Sequence, residues 1–138
     1  MYTMNEKLAY AAGFFDGEGS VGIGIVPGLR VTVAQTQTAP LIFMQELFGG
    51  SIKELHRPIS GKAHWKRCWH WSLAAWNASD FLVRILPALK VKYVEAAMGI
   101  LFQDTRILTI NGTPVSRKVA ELRQYLVIEC AREKKFNV

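Results

Sequence analysis

The stretch LAYAAGFFDGEGS, residues 8–20, decides how the chain begins to fold. Its apolar residues recur at a spacing of three to four, as on one face of a helix: Leu8, Ala11, Ala12 and Phe15. We therefore predict an amphipathic helix over residues 5–16. Gly17 and Gly19 follow, and we expect them to stop the helix, because glycine readily takes the positive φ angles that a helix exit commonly needs.

Two carboxylates, Asp16 and Glu18, fall at the predicted exit of this helix. The negative end of the helix dipole disfavours an anion there by roughly 0.3–1 kcal/mol. A chain selected only for stability would avoid this placement, so one interpretation gives the carboxylates a functional role. In the alternative interpretation, Asp16 caps local backbone groups and Glu18 is simply solvated. The two residues alone leave both interpretations open.

Further along, apolar residues alternate with small or polar ones, which is the period of half-buried strands. This alternation predicts two hairpins, one from residues 20–26 and 29–36 and one from residues 51–57 and 65–73. One face of the last strand carries the tryptophans and is predicted to join the core: Trp65, Arg67, Trp69, Trp71 and Leu73.

Helical spacing predicts four further helices, over residues 40–48, 79–86, 93–106 and 116–133. We expect Pro40 at the first position of its helix, and Ser79 and Ser116 as N-caps. The order of helix, hairpin, helix, hairpin and further helices predicts an α+β fold. We expect one domain over residues 1–138, with an antiparallel sheet that has helices on one face.

The chain is basic, with 17 Lys and Arg against 11 Asp and Glu and a net charge of +6. Such an excess points to a polyanionic partner. Five cations fall between residues 51 and 70, against Glu54 alone: Lys53, Arg57, Lys62, Lys66 and Arg67. Because they belong to the second predicted hairpin, we expect a nucleic-acid duplex to lie across the free face of the sheet. The alternative is a solvated face that only keeps the protein soluble.

The two cysteines, Cys68 and Cys130, make no disulfide framework, and the N-terminus lacks the pattern of a secretion signal. We therefore expect a reducing intracellular compartment, whether organelle, nucleus or prokaryotic cytoplasm. Charged residues interrupt every apolar run before the roughly 18 residues needed to span a bilayer, so we expect a soluble protein with no membrane partner. A zinc site of His64, Cys68 and His70 is an alternative that lacks an evident fourth ligand.

The pattern A-G-x-x-D-G-E-G-S, after an amphipathic helix and before a hairpin, resembles the defining motif of the LAGLIDADG homing endonucleases. Three later segments are also similar to the family pattern: VTVAQTQ at 31–37, LFGGSIK at 47–53 and PALKVK at 87–92. The resemblance implies an αββαββα-type fold with a saddle-shaped antiparallel sheet. It also implies a nuclease that serves intron homing by a staggered double-strand break in a long, pseudo-palindromic DNA site.

The resemblance implies three catalytic residues, Glu18, Gln35 and Lys92. Glu18, with the backbone carbonyl of Gly17, would bind a divalent metal; Gln35 would orient the attacking water, and Lys92 would be the active-site lysine. We expect Mg²⁺, because all these ligands are hard oxygens, with Mn²⁺ as a substitute and Ca²⁺ supporting binding without cleavage. Some family members carry another basic residue a turn after the glutamine, where this chain has residues 38–40, Thr-Ala-Pro.

This chain carries one motif, whereas cutting both strands of a duplex requires two active sites, so we expect a homodimer. Two copies of the first helix would pack at the two-fold axis through small residues that permit close backbone approach: Ala9, Ala12 and Gly13. Two Glu18 carboxylates would then lie close together and repel each other unless cations separate them.

For recognition, the resemblance implies a sheet that follows the major groove of double-stranded DNA. Strand parity selects side chains for base contacts: Arg30, Thr32, Ser51, Lys53, Leu55, Arg57, Lys66 and His70. Lys62 and His64, in the predicted loop, are expected to contact phosphates. The alternative function is a cleavage-deficient LAGLIDADG protein that acts as an RNA maturase, with intron RNA as partner, or as a DNA-binding regulator. A basic interaction protein without nuclease ancestry is a third, weaker hypothesis.

Overall fold

A computed structural model of the chain describes residues 2–24, 28–55, 67–108 and 116–136. The elements follow in the order α1 (Met4–Glu18), β1 (Gly19–Ile23), β2 (Leu29–Gln35), α2 (Thr38–Phe48), β3 (Ser51–Glu54), β4 (Trp69–Ala74), α3 (Ala75–Ile85), α4 (Tyr93–Asp104) and α5 (Arg117–Phe136), with 3-10 turns at Leu86–Ala88 and Thr105–Leu108. This order confirms the predicted α+β fold.

Helix α1 begins with a capping box and ends at a close contact. Thr3 Oγ1 accepts from the Glu6 backbone N–H, and the Thr3 N–H donates to the Glu6 carboxylate. The helix then continues through Gly17 to Glu18, so the predicted stop at Gly17 was wrong. Gly19 ends it with a φ of −83°, not a positive angle. Glycine is needed there because a Cβ would overlap the Phe15 ring.

The four strands form one antiparallel sheet in the order β1-β2-β4-β3, so the second strand of each hairpin lies in the centre. Apolar side chains of alternate residues cover one face and are buried: Val21, Val31, Val33, Trp71 and Leu73. Helices α1 to α4 pack on this face. Phe81 of α3 packs edge-on against Phe15, Phe48 and Trp71, with ring centroids 4.6–5.3 Å apart.

The connections before two of the helices differ from the prediction. Helix α2 begins at Thr38, which makes Pro40 its third residue instead of its first. Helix α3 begins directly after β4, at Ala75 with a φ of +54°, so Ser79 lies inside the helix and is buried instead of capping it. The cap predicted at Ser116 is confirmed, because the Val119 N–H donates to Ser116 Oγ at 3.3 Å.

Two further features concern burial and membranes. Cys130 is buried, as is Cys68. Within the described ranges, no helix combines the length and the apolar character needed to cross a lipid bilayer.

Candidate functional site

The exit of α1 is the centre of the candidate site. Glu18 is the last residue of the helix and its side chain is exposed, as is Gly17. The following residue, Gly19, opens β1 and pairs with Val33 of β2. Because the two strands are antiparallel, the helix exit lies at the same sheet edge as the end of β2, where Gln35 stands. The fold therefore brings two of the predicted catalytic residues to one edge.

Asp16 connects this exit to a segment more than 70 residues further along the chain. Its carboxylate accepts hydrogen bonds from the backbone N–H groups of Lys90 at 2.6 Å, Val91 at 3.1 Å and Lys92 at 2.9 Å. Asp16 therefore caps distant backbone groups, in contrast to the local capping considered from sequence. This segment immediately precedes α4, and its three consecutive N–H groups together bind the carboxylate, as successive backbone amides bind anions.

The same contact brings Lys92 to the exit of α1. Lys92 Nζ donates to the backbone carbonyl oxygen of Asp16 at 2.6 Å. The last carbonyls of a helix lack an intrahelical partner, and α1 has no basic residue in its last turn. The lysine from the distant segment thus supplies the cation that this helix end favours. The Asp16 carbonyl that accepts this bond lies one residue before Gly17 and two residues before Glu18 along the helix.

The electrostatic state of Asp16 follows from these contacts. Partial burial is the largest single influence and by itself would raise the pKa of the Asp16 carboxyl. The hydrogen bonds from the backbone of Lys92, Lys90 and Val91, together with the positive charge of Lys92, outweigh it. The pKa of Asp16 therefore lies below its ordinary value of 3.8.

Gln35 is held by its neighbour at the end of β2. Its side-chain oxygen accepts from the backbone N–H of Thr36 at 2.8 Å and from Thr36 Oγ1 at 3.2 Å. In the part of the chain that the structure describes, no hydrogen bond joins Gln35 to Glu18 or Lys92. The structure thus gathers Glu18, Gly17 and Lys92 at one helix end and leaves Gln35 as a neighbour at the same edge.

The donors at the exit of α1 fit a hard divalent cation. They are the carboxylate of Glu18 and the backbone carbonyl of Gly17, both oxygen ligands of the kind that Mg²⁺ prefers. Two ligands from one chain are fewer than the six of Mg²⁺, so the others must come from water, substrate or a second copy. Among the described residues, no three His, Cys, Asp or Glu side chains group as a metal site, which leaves Cys68 and His70 without a third zinc ligand there.

The face of the sheet opposite the core carries the polar side chains. By register, ten residues share it: Ser20, Gly22, Arg30, Thr32, Ala34, Ser51, Lys53, His70, Ser72 and Ala74. Five of the predicted DNA-binding residues are among them, and part of the face forms a concavity of about 350 Å³ lined by Arg30, Ser51, Lys53, His70 and Asn77. Leu55 follows β3 and is exposed. Four predicted residues lie outside the described ranges: Arg57, Lys62, His64 and Lys66.

Three polar residues on or beside this face were not singled out from sequence: Ser20, Ser72 and Asn77. Strand parity would have been sufficient to predict Ser72, because it shares its face of β4 with His70. The Oγ atoms of Ser72 and Ser51 lie 3.4 Å apart. Asn77 belongs to the first turn of α3, and no periodicity connects it to the strands.

Two features modify the charge pattern of this region. Arg67 makes a two-point ion pair with Glu54, at 2.8 and 2.9 Å, so one predicted basic residue is neutralised locally. That hydrogen bonding raises the pKa of Arg67 above its ordinary value. Nδ1 of His70 is buried and lacks a hydrogen-bond partner within the described residues.

The outer side of α1 presents a row of small residues. Ala9, Gly13 and Gly17 recur every four residues and are exposed, and a Cβ at either glycine would meet no atom within 4 Å. Ala12, which we had expected in the same contact, is fully buried in the core of its own chain and cannot line an outer surface. An apolar groove of about 580 Å³ runs beside the row, lined by residues that include Tyr2, Ala9, Tyr10, Pro40 and Phe43.

Comparisons with known proteins show which solved structures have a similar fold. Neither a protein-family model nor a curated protein sequence matches the chain. Among solved structures, the chain is similar to the homing endonuclease I-CvuI in complex with its target, with a TM-score of 0.69, 19% identity, and coverage of 92% of this chain and 81% of that one. For the archaeal intron-encoded homing endonuclease I-Vdi141I complexed with DNA, the TM-score is 0.73, the identity 18%, and the coverage 95% and 86%.

A third similar structure is the homing endonuclease I-TnaI, with a TM-score of 0.62, 14% identity, and coverage of 95% of this chain and 97% of that one. All three extend over nearly the whole of this chain, with its four-stranded sheet and the helices that cover it. The chain therefore has the fold of the LAGLIDADG homing endonucleases, as its motif predicted.

Proposed function

We propose that this chain is a divalent-metal-dependent, site-specific DNA endonuclease of the LAGLIDADG type that acts as a homodimer. The observation that carries the proposal is the convergence at the end of α1. There the Asp16 contacts bring Lys92, which is distant in sequence, to the helix turn that carries Gly17 and Glu18. A carboxylate and an ammonium at one exposed helix end are suited to a metal ion and a phosphate.

In this proposal each residue has a separate task. Glu18 and the Gly17 carbonyl would hold Mg²⁺, which when bound would lower the pKa of the attacking water and stabilise charge at the scissile phosphate. Lys92 offsets the negative charge that develops on the phosphate, and Gln35 orients the water from the adjacent strand end. The motif's metal ligand is glutamate here, which reaches one methylene further than aspartate.

The sheet face supplies binding and sequence recognition. Arg30 and Lys53 stand on the same face as Ser51, Thr32 and His70, and long cations reach guanine edges or phosphates in a major groove. The face contains no acidic residue among its ten members. The structures of I-CvuI and I-Vdi141I are complexes with DNA, which supports DNA as the polyanion.

The need for two cuts supports a homodimer. One chain has one motif, and the exposed row of Ala9, Gly13 and Gly17 leads directly to Glu18. Packing two such rows at a two-fold axis would place both Glu18 carboxylates near each other, with metal ions separating their charges. The absence of Cβ atoms at Gly13 and Gly17 permits the close backbone approach that such a contact requires.

The test is cleavage of DNA without assuming the target. Purified protein with Mg²⁺ is incubated with a library of random-sequence duplexes and with the joined exons that flank its gene, and new ends are captured by ligation. We expect paired, staggered ends at one related set of sequences. Many sequences are included because DNA in a complex need not be cut: in the complex of I-CvuI with the I-CreI target in the presence of 2 mM Mg, the DNA is not cleaved.

Two outcomes would overturn the proposal. If neither substrate yields ends that depend on the protein and the metal, the chain is not an endonuclease. If the protein binds its intron RNA and the exon-junction DNA with equal affinity and cuts neither, the RNA maturase hypothesis replaces ours.

A further inference from the structure

Asp16 is the residue of the motif for which the proposed chemistry has no task. Both oxygens of its carboxylate accept hydrogen bonds from the segment before α4. One oxygen accepts from Lys90 at 2.6 Å and the other from Lys92 at 2.9 Å, while the N–H of Val91 lies 3.1 and 3.2 Å from the two. Three consecutive backbone groups are thus fixed to the last turn of α1.

The contact is doubled at Lys92. The backbone N–H of Lys92 donates to the Asp16 side chain, and its Nζ donates to the Asp16 carbonyl at 2.6 Å. One residue therefore holds both ends of the lysine. A cap that served only to stabilise α4 would need the first of these bonds and not the second.

We propose that Asp16 is a positioning residue that sets Lys92 beside the metal-binding end of α1. This inference rests on the proposed nuclease function and concerns the same site. Asp16 does not touch the DNA or the metal; it acts through Lys92. An ammonium has three N–H donors, and with one given to the Asp16 carbonyl, two can be directed at the phosphate.

The physical reason for such a device is the flexibility of lysine. Its four-carbon stem has many rotamers. An ammonium displaced by about 1 Å loses most of its stabilisation of the negative charge that develops on the phosphate. Anchoring the backbone and the nitrogen of Lys92 to one residue of α1 removes that freedom before substrate binds. Because Glu18 belongs to the same helix turn, the anchored lysine is held beside the backbone that carries the metal ligand.

The test is a double-mutant cycle on DNA cleavage under single-turnover conditions at saturating protein. Asp16→Asn keeps the size and one acceptor oxygen but loses the second oxygen, and Lys92→Met keeps the stem and loses the ammonium. We expect Asp16→Asn to lower the cleavage rate constant by about 10–100-fold, as for outer partners that orient active-site groups. We expect DNA affinity in Ca²⁺ to change less than about threefold.

The decisive comparison is the double variant. If Asp16 acts through Lys92, adding Asp16→Asn to Lys92→Met lowers the rate constant by no more than about threefold further. A structural role alone would lower the fraction of active protein, which appears as a smaller reaction amplitude, and would leave the rate constant of the folded fraction unchanged. If the rate loss of the double variant equals the product of the losses of the two single variants, the inference is overturned.

Controls separate this inference from the proposed function. Asp104→Asn makes the same chemical change on an exposed residue at the far end of α4 and should leave the rate unchanged. If Asp16→Asn does not fold, Asp16→Glu, which keeps the charge and both oxygens but shifts them, takes its place in the cycle with the same expected result. An inactive wild type would refute the proposed function, whereas an active wild type with independent losses refutes the positioning role alone.

Discussion

A substitution at Gly13 is expected to stabilise the single chain and to weaken the proposed dimer. Gly13 lies in the middle of α1, is exposed, and a Cβ built on it meets no atom of its own chain within 4 Å. A side chain at this exposed position therefore begins from a Cβ that clashes with nothing in its own chain. In the proposed dimer, the same side chain would stand between two closely packed helices.

The magnitudes follow from these two environments. Within one chain, Gly13→Leu should stabilise α1 by about 0.5–1 kcal/mol, because glycine is the poorest helix former after proline. Between two chains, an inserted side chain raises the free energy of the packed contact by about 1–3 kcal/mol. Because the contact is symmetric, each of the two helices carries one such side chain, so this cost applies twice. A total of about 2–6 kcal/mol weakens dimerisation by a factor of at least about 30.

Sedimentation analysis over a range of concentrations measures the dimer dissociation constant, and circular dichroism on the same samples measures helix content. We expect Gly13→Leu to be a monomer with the helix content of the wild type at concentrations where the wild type is dimeric. Ala120→Leu, which places the same side chain on the exposed side of α5, is the matched control and should remain dimeric. A Gly13→Leu variant with the wild-type dissociation constant would show that this row is not the contact.

Three other predictions concern stability and binding. Gly50→Ala should destabilise the fold by about 3 kcal/mol in urea unfolding, because the φ is +96° and a Cβ would lie 2.5 Å from a carbonyl oxygen of β4; a loss under about 1 kcal/mol would contradict this geometry. The folded-state pKa of Asp16 lies below 3.8. The stability that its carboxylate gives to the folded protein is therefore complete above that pH and is lost as the pH falls through the folded-state pKa. The gap in unfolding free energy between metal-free wild type and Asp16→Asn should therefore shrink only below about pH 4, and a gap that already closes between pH 7 and 5 would contradict the lowered value. Arg30→Ala and Lys53→Ala should each reduce the salt dependence of DNA binding by about one phosphate contact or relax specificity at one base pair, whereas binding that both variants leave unchanged would argue against this face.

The sequence predicted the order of the elements because each has a local signal. Alternation marked the strands, and parity placed Arg30 and Thr32 on one face of β2 and His70 on the face of β4 opposite the tryptophans. The register of β2 with β4 brings these three residues to the same face of the sheet. The boundary of α1 was misjudged because a glycine can serve a close approach as well as a positive φ, and only the position of the Phe15 ring distinguishes Gly19 from Gly17.

The parts of the site that escaped prediction depend on tertiary contacts. Nothing within a few residues of Asp16 indicates that its partners are the N–H groups of residues 90–92. Ala12 and Gly13 are both small and adjacent, yet one faces the core and the other the exterior, because the helix rotates by about 100° per residue. The central pairing of β2 with β4 likewise joins two hairpins that have no local signal for each other.

The most direct test of the central claim is a comparison of wild type with Glu18→Gln on the captured target DNA. The substitution keeps the size of the side chain, and Glu18 is exposed, so the fold should be unaffected. We predict that both proteins bind the DNA equally in Ca²⁺, and that in Mg²⁺ only the wild type cuts both strands. Cleavage by Glu18→Gln at the wild-type rate would contradict the account.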